Sequence, residues 1–89
     1  MTRDEYNKLR HDKLFIKDRI SRKTVDKGRV FKTPRICSLC GNVLTNYRFS
    51  KGDYIANTDF YVVNLPSIVY INICLDPNGC YKRIEEKGL

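Results

Sequence analysis

Cys37 and Cys40 are separated by two residues, and a second pair, Cys74 and Cys80, follows after a gap of 33 residues. Thiolates that lie close together repel each other, so a cation is needed to make such a cluster favourable. Zn²⁺ accepts four sulfurs tetrahedrally at about 2.3 Å, and a CxxC turn presents two of them to one ion. Gly41 suits this turn, because the backbone there must curl toward the sulfurs. The two pairs together predict one structural zinc ion bound by all four cysteines.

Three other uses of paired cysteines remain open from the residues alone. A disulfide scaffold is typical of small secreted proteins, but no signal peptide pattern follows Met1, so we expect an intracellular, cytoplasmic chain. A redox CxxC would need a βαβ context, which the sequence does not suggest. A catalytic zinc site normally keeps one position open and uses histidine or carboxylate ligands, whereas four sulfurs close the ion off.

The length of 89 residues favours one small domain, whose core is marginal unless a metal or a disulfide stabilises it. No apolar run approaches the roughly 20 residues of a membrane span, so no membrane partner is expected. We divide the chain into a basic helix and arm over residues 1–34 and a four-cysteine zinc module over residues 35–89, within one compact whole.

The sequence pattern of the zinc module is typical of short antiparallel strands followed by a final helix. NVLTNYRF and Tyr54-Ile55 flank a turn at residues 50–53, and FYVVN and IVYINIC flank a turn at residues 65–67. Asp76 and Pro77 have the residue types of an N-cap and a first helical position, so a short helix should contain Cys80. The fold class predicted is α+β, a zinc-stabilised antiparallel β domain with an N-terminal basic helix and a short C-terminal helix.

CSLCG followed by hairpin patterns, and CLDPNGC followed by a helix, resemble the treble-clef class of zinc fingers, with a zinc ribbon as the related form. The resemblance covers about residues 35–88 and implies that Cys37 and Cys40 are knuckle ligands and that Cys74 and Cys80 complete the site. The chain departs from the usual pattern by an extra strand pair and by the five residues between its last two cysteines. Because this class includes nucleases, ribosomal proteins, transcription factors and protein-binding modules, it does not fix the function.

The first residues predict a helix that begins with a capping box of Thr2 and Glu5. Its apolar stripe is predicted to contain Tyr6, Leu9, Ile16 and Ile20, with Leu14 and Phe15 off the stripe. The helical pattern fades near Thr24, and a turn at residues 26–28 should separate two short β-prone pieces.

Positive charge is concentrated before the first cysteine. Residues 1–35 hold 12 Lys/Arg and 5 Asp/Glu, a net charge of +7, whereas residues 36–89 hold 5 of each. This asymmetry favours a polyanionic partner, DNA or RNA above all. The predicted phosphate contacts come from the loop that follows the helix; they are Arg19, Arg22, Lys23, Lys27, Arg29, Lys32 and Arg35. A solvated face that only aids solubility is the alternative for this stretch.

No catalytic constellation is present, so we expect a protein that is not an enzyme. The one histidine, His11, lies among charged residues of the first helix. Nucleases of the treble-clef class need histidines on the helix after the second ligand pair, and YKRIEEKGL contains none. Glu85 and Glu86 are adjacent and therefore point in different directions.

Two functional hypotheses follow. In the first, the chain is a small basic accessory protein that binds nucleic acid, and the residues Tyr47, Arg48, Phe49, Lys51 and Tyr54 either stack on unpaired bases or belong to the core. In the second, the chain is an adaptor or inhibitor that binds an acidic patch on a protein of transcription, replication or defence machinery. The Lys, Asn and Ile content would suit a phage-encoded accessory protein under either hypothesis.

Overall fold

The structure is a computed structural model, and it describes residues 1–66 and 69–88. Within these residues the chain forms two helices and six strands. In chain order they are α1 (Arg3–Leu14), β1 (Ser21–Val25), β2 (Val30–Phe31), β3 (Thr45–Arg48), β4 (Asp53–Ala56), β5 (Phe60–Leu65), β6 (Val69–Cys74) and α2 (Pro77–Glu86). The strands form two antiparallel sheets, β1-β5-β6 and β2-β4-β3, so the α+β class is confirmed. No helix in the described part has the length and apolar character needed to cross a membrane.

Helix α1 begins as predicted but ends earlier. The Thr2 side chain accepts a hydrogen bond from the Glu5 amide, and the Glu5 side chain accepts one from the Thr2 amide, which completes the capping box. The predicted apolar stripe is wrong beyond the second turn, because the helix stops at Leu14. Leu14, predicted off the stripe, is buried, whereas Ile20, predicted on it, is 70% exposed. The Ile20 amide donates to the Asn64 carbonyl, so pairing with β5 takes over from the helix here.

The helical pattern predicted up to about Thr24 is wrong from Ser21, because residues 21–25 are strand β1, whereas the β-prone pieces predicted at Val25 and at Val30 and Phe31 lie in β1 and β2. This strand pairs with β5 over five residues, from Ser21 opposite Asn64 to Val25 opposite Phe60. The predicted turn at residues 26–28 follows, and Gly28 takes a φ of +97°, which glycine adopts without strain. Strand β2 then joins the other sheet by pairing with β4, so each sheet contains one strand from before residue 34 and two from after it.

Both predicted hairpins are present. Strands β3 and β4 pair from Thr45 opposite Ala56 to Arg48 opposite Asp53, around a turn that contains Gly52 at a φ of +68°. Strands β5 and β6 pair in register up to Leu65 opposite Val69, and Ser67 of the predicted turn lies outside the described residues.

Strand β5 lies at the centre of the molecule, because its side chains are buried on both faces. Alternation along a strand sends Phe60 and Val62 to one face and Val63 to the other. Val63 packs with Leu14 of α1 and Ile73 of β6. Phe60 lies against Phe31 of the second sheet, with ring centroids 5.9 Å apart. The sheet β1-β5-β6 therefore lies between α1 and the sheet β2-β4-β3.

Candidate metal centre and cationic cavity

The first cysteine pair is held by a tight backbone turn. The Cys37 amide donates to the Asn42 carbonyl at 2.9 Å, and the Gly41 amide donates to the Cys37 carbonyl at 3.0 Å. Gly41 has a φ of +74°, a left-handed conformation that a residue with a Cβ enters only at a cost of about 1–2 kcal/mol. This turn aims both sulfurs of the CxxC segment to the same side.

The second pair reaches those sulfurs from a strand end and a helix start. Cys37 pairs with Asn72 in a short parallel bridge, and the Ser38 amide donates to the Asn72 carbonyl at 2.8 Å. This contact fixes the turn beside the end of β6, where Cys74 is the last residue. Cys80 lies in the first turns of α2, whose Asp76 N-cap accepts from the Asn78 amide. The helix N-terminus favours negative charge on the sulfur there.

The four sulfurs form one cluster. All of them lie within 4.8 Å of one another, with Cys37 and Cys80 sulfurs at 3.8 Å and Cys40 and Cys74 sulfurs at 3.5 Å. A tetrahedron with zinc–sulfur bonds of about 2.3 Å has edges of about 3.8 Å. All four side chains are buried and none is in a disulfide. The four predicted cysteines are therefore positioned to bind one metal ion.

Hydrogen bonding among the cysteine side chains shifts their pKa values in opposite directions. Side-chain hydrogen bonding with Cys74, and then with Cys80, lowers the pKa of Cys37. The same hydrogen bond to Cys37 is the main reason why the pKa of Cys74 rises to about 12 and the pKa of Cys80 rises well above its usual range. One sulfur can thus ionise while its neighbours keep their protons. A divalent ion at the centre would take the place of those protons.

Positive groups surround the cluster. The Arg83 guanidinium donates to the Cys74 sulfur at 3.3 Å, and hydrogen bonding to the side chain of Cys40 is the first reason why the pKa of Arg83 is raised. The Cys74 amide donates to the Cys37 sulfur at 3.4 Å, and the Lys87 ammonium donates to the Cys40 carbonyl oxygen. A divalent ion with four thiolates carries a net charge of −2, and these donors offset it.

Tyr6 supplies a further observation that fits bound thiolates. Its side chain is fully buried, and its hydroxyl has no hydrogen-bond partner among the described residues. Burial, and then the neighbouring Cys80 side chain, raise the pKa of Tyr6. A buried hydroxyl without a partner costs about 1–3 kcal/mol, whereas a thiolate at Cys80 would accept its proton in a hydrogen bond. The donor set and its surroundings therefore fit a tetrathiolate metal site.

Arg10 joins helix α1 to the segment that carries Cys74 of the four-cysteine cluster. The guanidinium of Arg10 donates to the Cys74 carbonyl at 2.7 Å and to the Leu75 carbonyl at 3.1 Å. Sequence reasoning missed Arg10, since its partners are more than 60 residues away. It also missed Arg83, although a signal exists: Arg83 follows Cys80 by three residues and so lies on the same face of α2.

We expect Arg83→Met to weaken zinc binding about tenfold, because the thiolates would lose a charged donor while the apolar stem of the side chain is kept. Competition with a colorimetric chelator measures this affinity. Lys82→Met is the matched control, since Lys82 is the exposed preceding residue on α2. Equal affinities of the two variants would contradict the role of Arg83.

The structure separates the seven predicted phosphate-binding residues into groups. Arg19 lies between α1 and β1, and Arg22 lies in β1. Their guanidinium carbons are 5.8 and 4.2 Å from the centroid of the Phe15 ring. Lys27 and Lys32 are exposed in the turns that flank β2. The remaining three, Lys23, Arg29 and Arg35, line one cavity. These three are brought together around a concave surface.

This cationic cavity has a volume of about 210 Å³ and opens beside the second sheet. Its lining consists of Lys23, Val25, Arg29, Phe31, Arg35, Val62, Asn64 and Tyr70, and it includes no acidic residue. The guanidinium of Arg35 lies between two aromatic rings, 4.4 Å from the centroid of Phe31 and 4.1 Å from that of Tyr70. Such stacking fixes the plane of the guanidinium while leaving its edge available to a ligand.

The cations of the cavity lack acidic partners. In the part of the chain that the structure describes, one ion pair between side chains is found, and it lies outside the cavity. It joins Arg48 to Asp53 at 2.6 Å on the hairpin β3–β4. The Arg35 Nε is moreover buried and has no hydrogen-bond partner within that same part. An anion in the cavity would offset the charge of these cations.

Comparison of the chain with protein families, with curated proteins and with solved structures finds no match. A function for this chain is therefore inferred from the four-cysteine cluster and the cationic cavity.

Proposed function

We propose that this chain is a small zinc-stabilised accessory protein that binds nucleic acid through the cationic cavity. The observation that carries the proposal is the convergence of Lys23, Arg29 and Arg35, from three different segments, on one concave surface without an acidic residue. Phosphates are the usual partners of such a cluster, because they neutralise several cations at once and release counterions. The net charge of +7 before residue 36 supports the same partner.

The role proposed for the metal is structural, and zinc is the ion proposed. Four buried sulfurs at tetrahedral spacing leave no coordination position for a substrate. A treble-clef arrangement is consistent with a knuckle turn, a following hairpin and a last ligand on a helix. His11, exposed on α1, packs against Phe15 at 4.6 Å between ring centroids rather than beside the sulfurs of the cluster. We therefore propose a binding protein and not an enzyme.

The test is the salt dependence of binding, measured by fluorescence anisotropy with labelled DNA and RNA. Replacing the three cavity cations with glutamine should remove about three phosphate contacts. The slope of log K against log salt should then flatten by about two to three units. The variant is Lys23→Gln, Arg29→Gln, Arg35→Gln.

A second triple variant, Lys8→Gln, Lys17→Gln, Lys82→Gln, is the matched control. It removes the same charge from exposed positions that do not line the cavity. It should change the slope by less than one unit. If the two triple variants bind alike, the cavity is not the phosphate site. If neither DNA nor RNA binds even at low salt, the adaptor or inhibitor hypothesis takes its place.

A further inference from the structure

Four aromatic side chains lie in a row across the sheet β2-β4-β3, and we call them the aromatic row: Phe31, Tyr54, Tyr47 and Phe49. Phe31 and Tyr54 are directly opposite each other on β2 and β4, and Tyr54 is opposite Tyr47 on β3. Residues directly opposite in adjacent strands share one face of the sheet. Ring centroids are 5.1 Å apart between Tyr54 and Tyr47, and 4.9 Å apart between Tyr47 and Phe49.

The row leaves the core as it crosses the sheet. Phe31 and Tyr54 are half-buried, Tyr47 is 45% exposed and Phe49 is 91% exposed. An aromatic ring with nine-tenths of its surface in water contributes almost nothing to the core. The Tyr47 and Phe49 rings meet at 90°, so they do not cover each other as stacked rings would.

The buried end of the row is a wall of the cationic cavity. Phe31 lines the cavity, and its ring lies against the guanidinium of Arg35. Neighbouring strands are about 4.8 Å apart, so the row extends roughly 10 Å from Phe31 to Tyr47, and Phe49 lengthens it further. Positive charge thus lies at one end of the aromatic row, and exposed rings lie at the other.

We infer that this surface binds single-stranded nucleic acid, with a phosphate in the cationic cavity and unpaired bases stacked on the aromatic row. The inference rests on the proposed function and names its substrate class. Every base has a π-face, so stacking on aromatic side chains is tolerant of sequence, while a basic groove follows the backbone. Bases in a duplex are stacked within the helix and cannot reach the rings. The aromatic row therefore selects single strands over duplexes.

The chain contains no tryptophan, which allows a direct optical test. Phe49→Trp places a single indole at the exposed end of the row, and its fluorescence is quenched when a base stacks on it. The titrants are oligo(dT) and oligo(U) of about 12 nucleotides and a DNA duplex of the same length. We expect quenching by the single strands and none by the duplex, and the DNA and RNA arms identify the preferred sugar.

Affinity measurements on two further variants complete the test. Phe49→Leu keeps an apolar side chain but removes the π-face, and it should weaken single-strand binding about tenfold without changing duplex binding. Phe15→Leu is the matched control, because Phe15 is a 44% exposed aromatic residue that is not part of the row. It should leave single-strand binding unchanged.

Two outcomes would overturn the inference in distinguishable ways. If duplex and single strands bind equally and Phe49→Leu has no effect, nucleic-acid binding stands but selection of single strands does not. If no nucleic acid binds, or Phe49→Leu impairs only the binding of a protein, the proposed function fails and the inference fails with it.

Discussion

Replacing one cysteine of the cluster, by Cys80→Ser, should abolish both zinc binding and the folded state. The measured zinc content should fall from about one ion per chain to none, and the cooperative thermal transition should disappear. Structural zinc contributes about 10–16 kcal/mol in small zinc-finger peptides, whereas a whole domain is stable by only about 5–15 kcal/mol. The loss of the metal therefore exceeds the stability that an 89-residue chain can draw from its core.

Native mass spectrometry and circular dichroism measure the two effects together. Ser38→Ala is the matched control, since Ser38 is exposed between the first two ligands, and it should keep both the metal and the transition. A chelator added to the unmodified protein should reproduce the effect of Cys80→Ser. Acid should release the ion as well, because thiols must lose their protons to bind it. A folded protein without metal, with four thiols that react freely with an alkylating agent, would contradict the prediction.

Phe60→Ala should destabilise the protein by about 3–5 kcal/mol, the usual cost of removing a buried aromatic side chain. Phe60 is fully buried at the start of β5 and packs against Phe31 of the second sheet. Its removal would leave a cavity where the two sheets meet. Urea unfolding with zinc at saturation measures the free energy lost from packing separately from the free energy of metal binding.

Phe49→Ala is the matched control for the packing prediction, because the same type of side chain is 91% exposed there. Its free energy of unfolding should stay within about 0.5 kcal/mol of that of the unmodified protein. Equal losses at Phe60 and Phe49 would show that the two sheets do not pack as described.

The metal cluster could be predicted from the sequence because each half of it is local. The CxxC spacing and Gly41 determine one tight turn, and Asp76 with Pro77 determines the helix start beside the other pair. The two hairpins were equally accessible, because turn residues separate the segments of each and the segments of the second are rich in Val, Ile and Tyr.

The end of α1 and strand β1 could not be predicted in the same way. In the segment from Ser21 to Val25, only Val25 is buried, so the alternation that indicates a strand is missing. Its pairing depends on β5, which lies about 40 residues further along the chain. The cationic cavity depends on tertiary structure for the same reason. Lys23 and Arg35 are twelve positions apart, and only the packed sheets place them around one space.

Strand β1 is also an edge of its sheet, and this position gives its charge a second consequence. It pairs with β5 on one side, and in the described part of the chain no strand covers its other side. Open edges offer free backbone groups to a neighbouring molecule and so favour aggregation, which Lys and Arg on the edge discourage. Arg22 and Lys23 are both exposed on this edge. The positive charge that would attract a polyanion would thereby also oppose edge-to-edge pairing between copies of the chain.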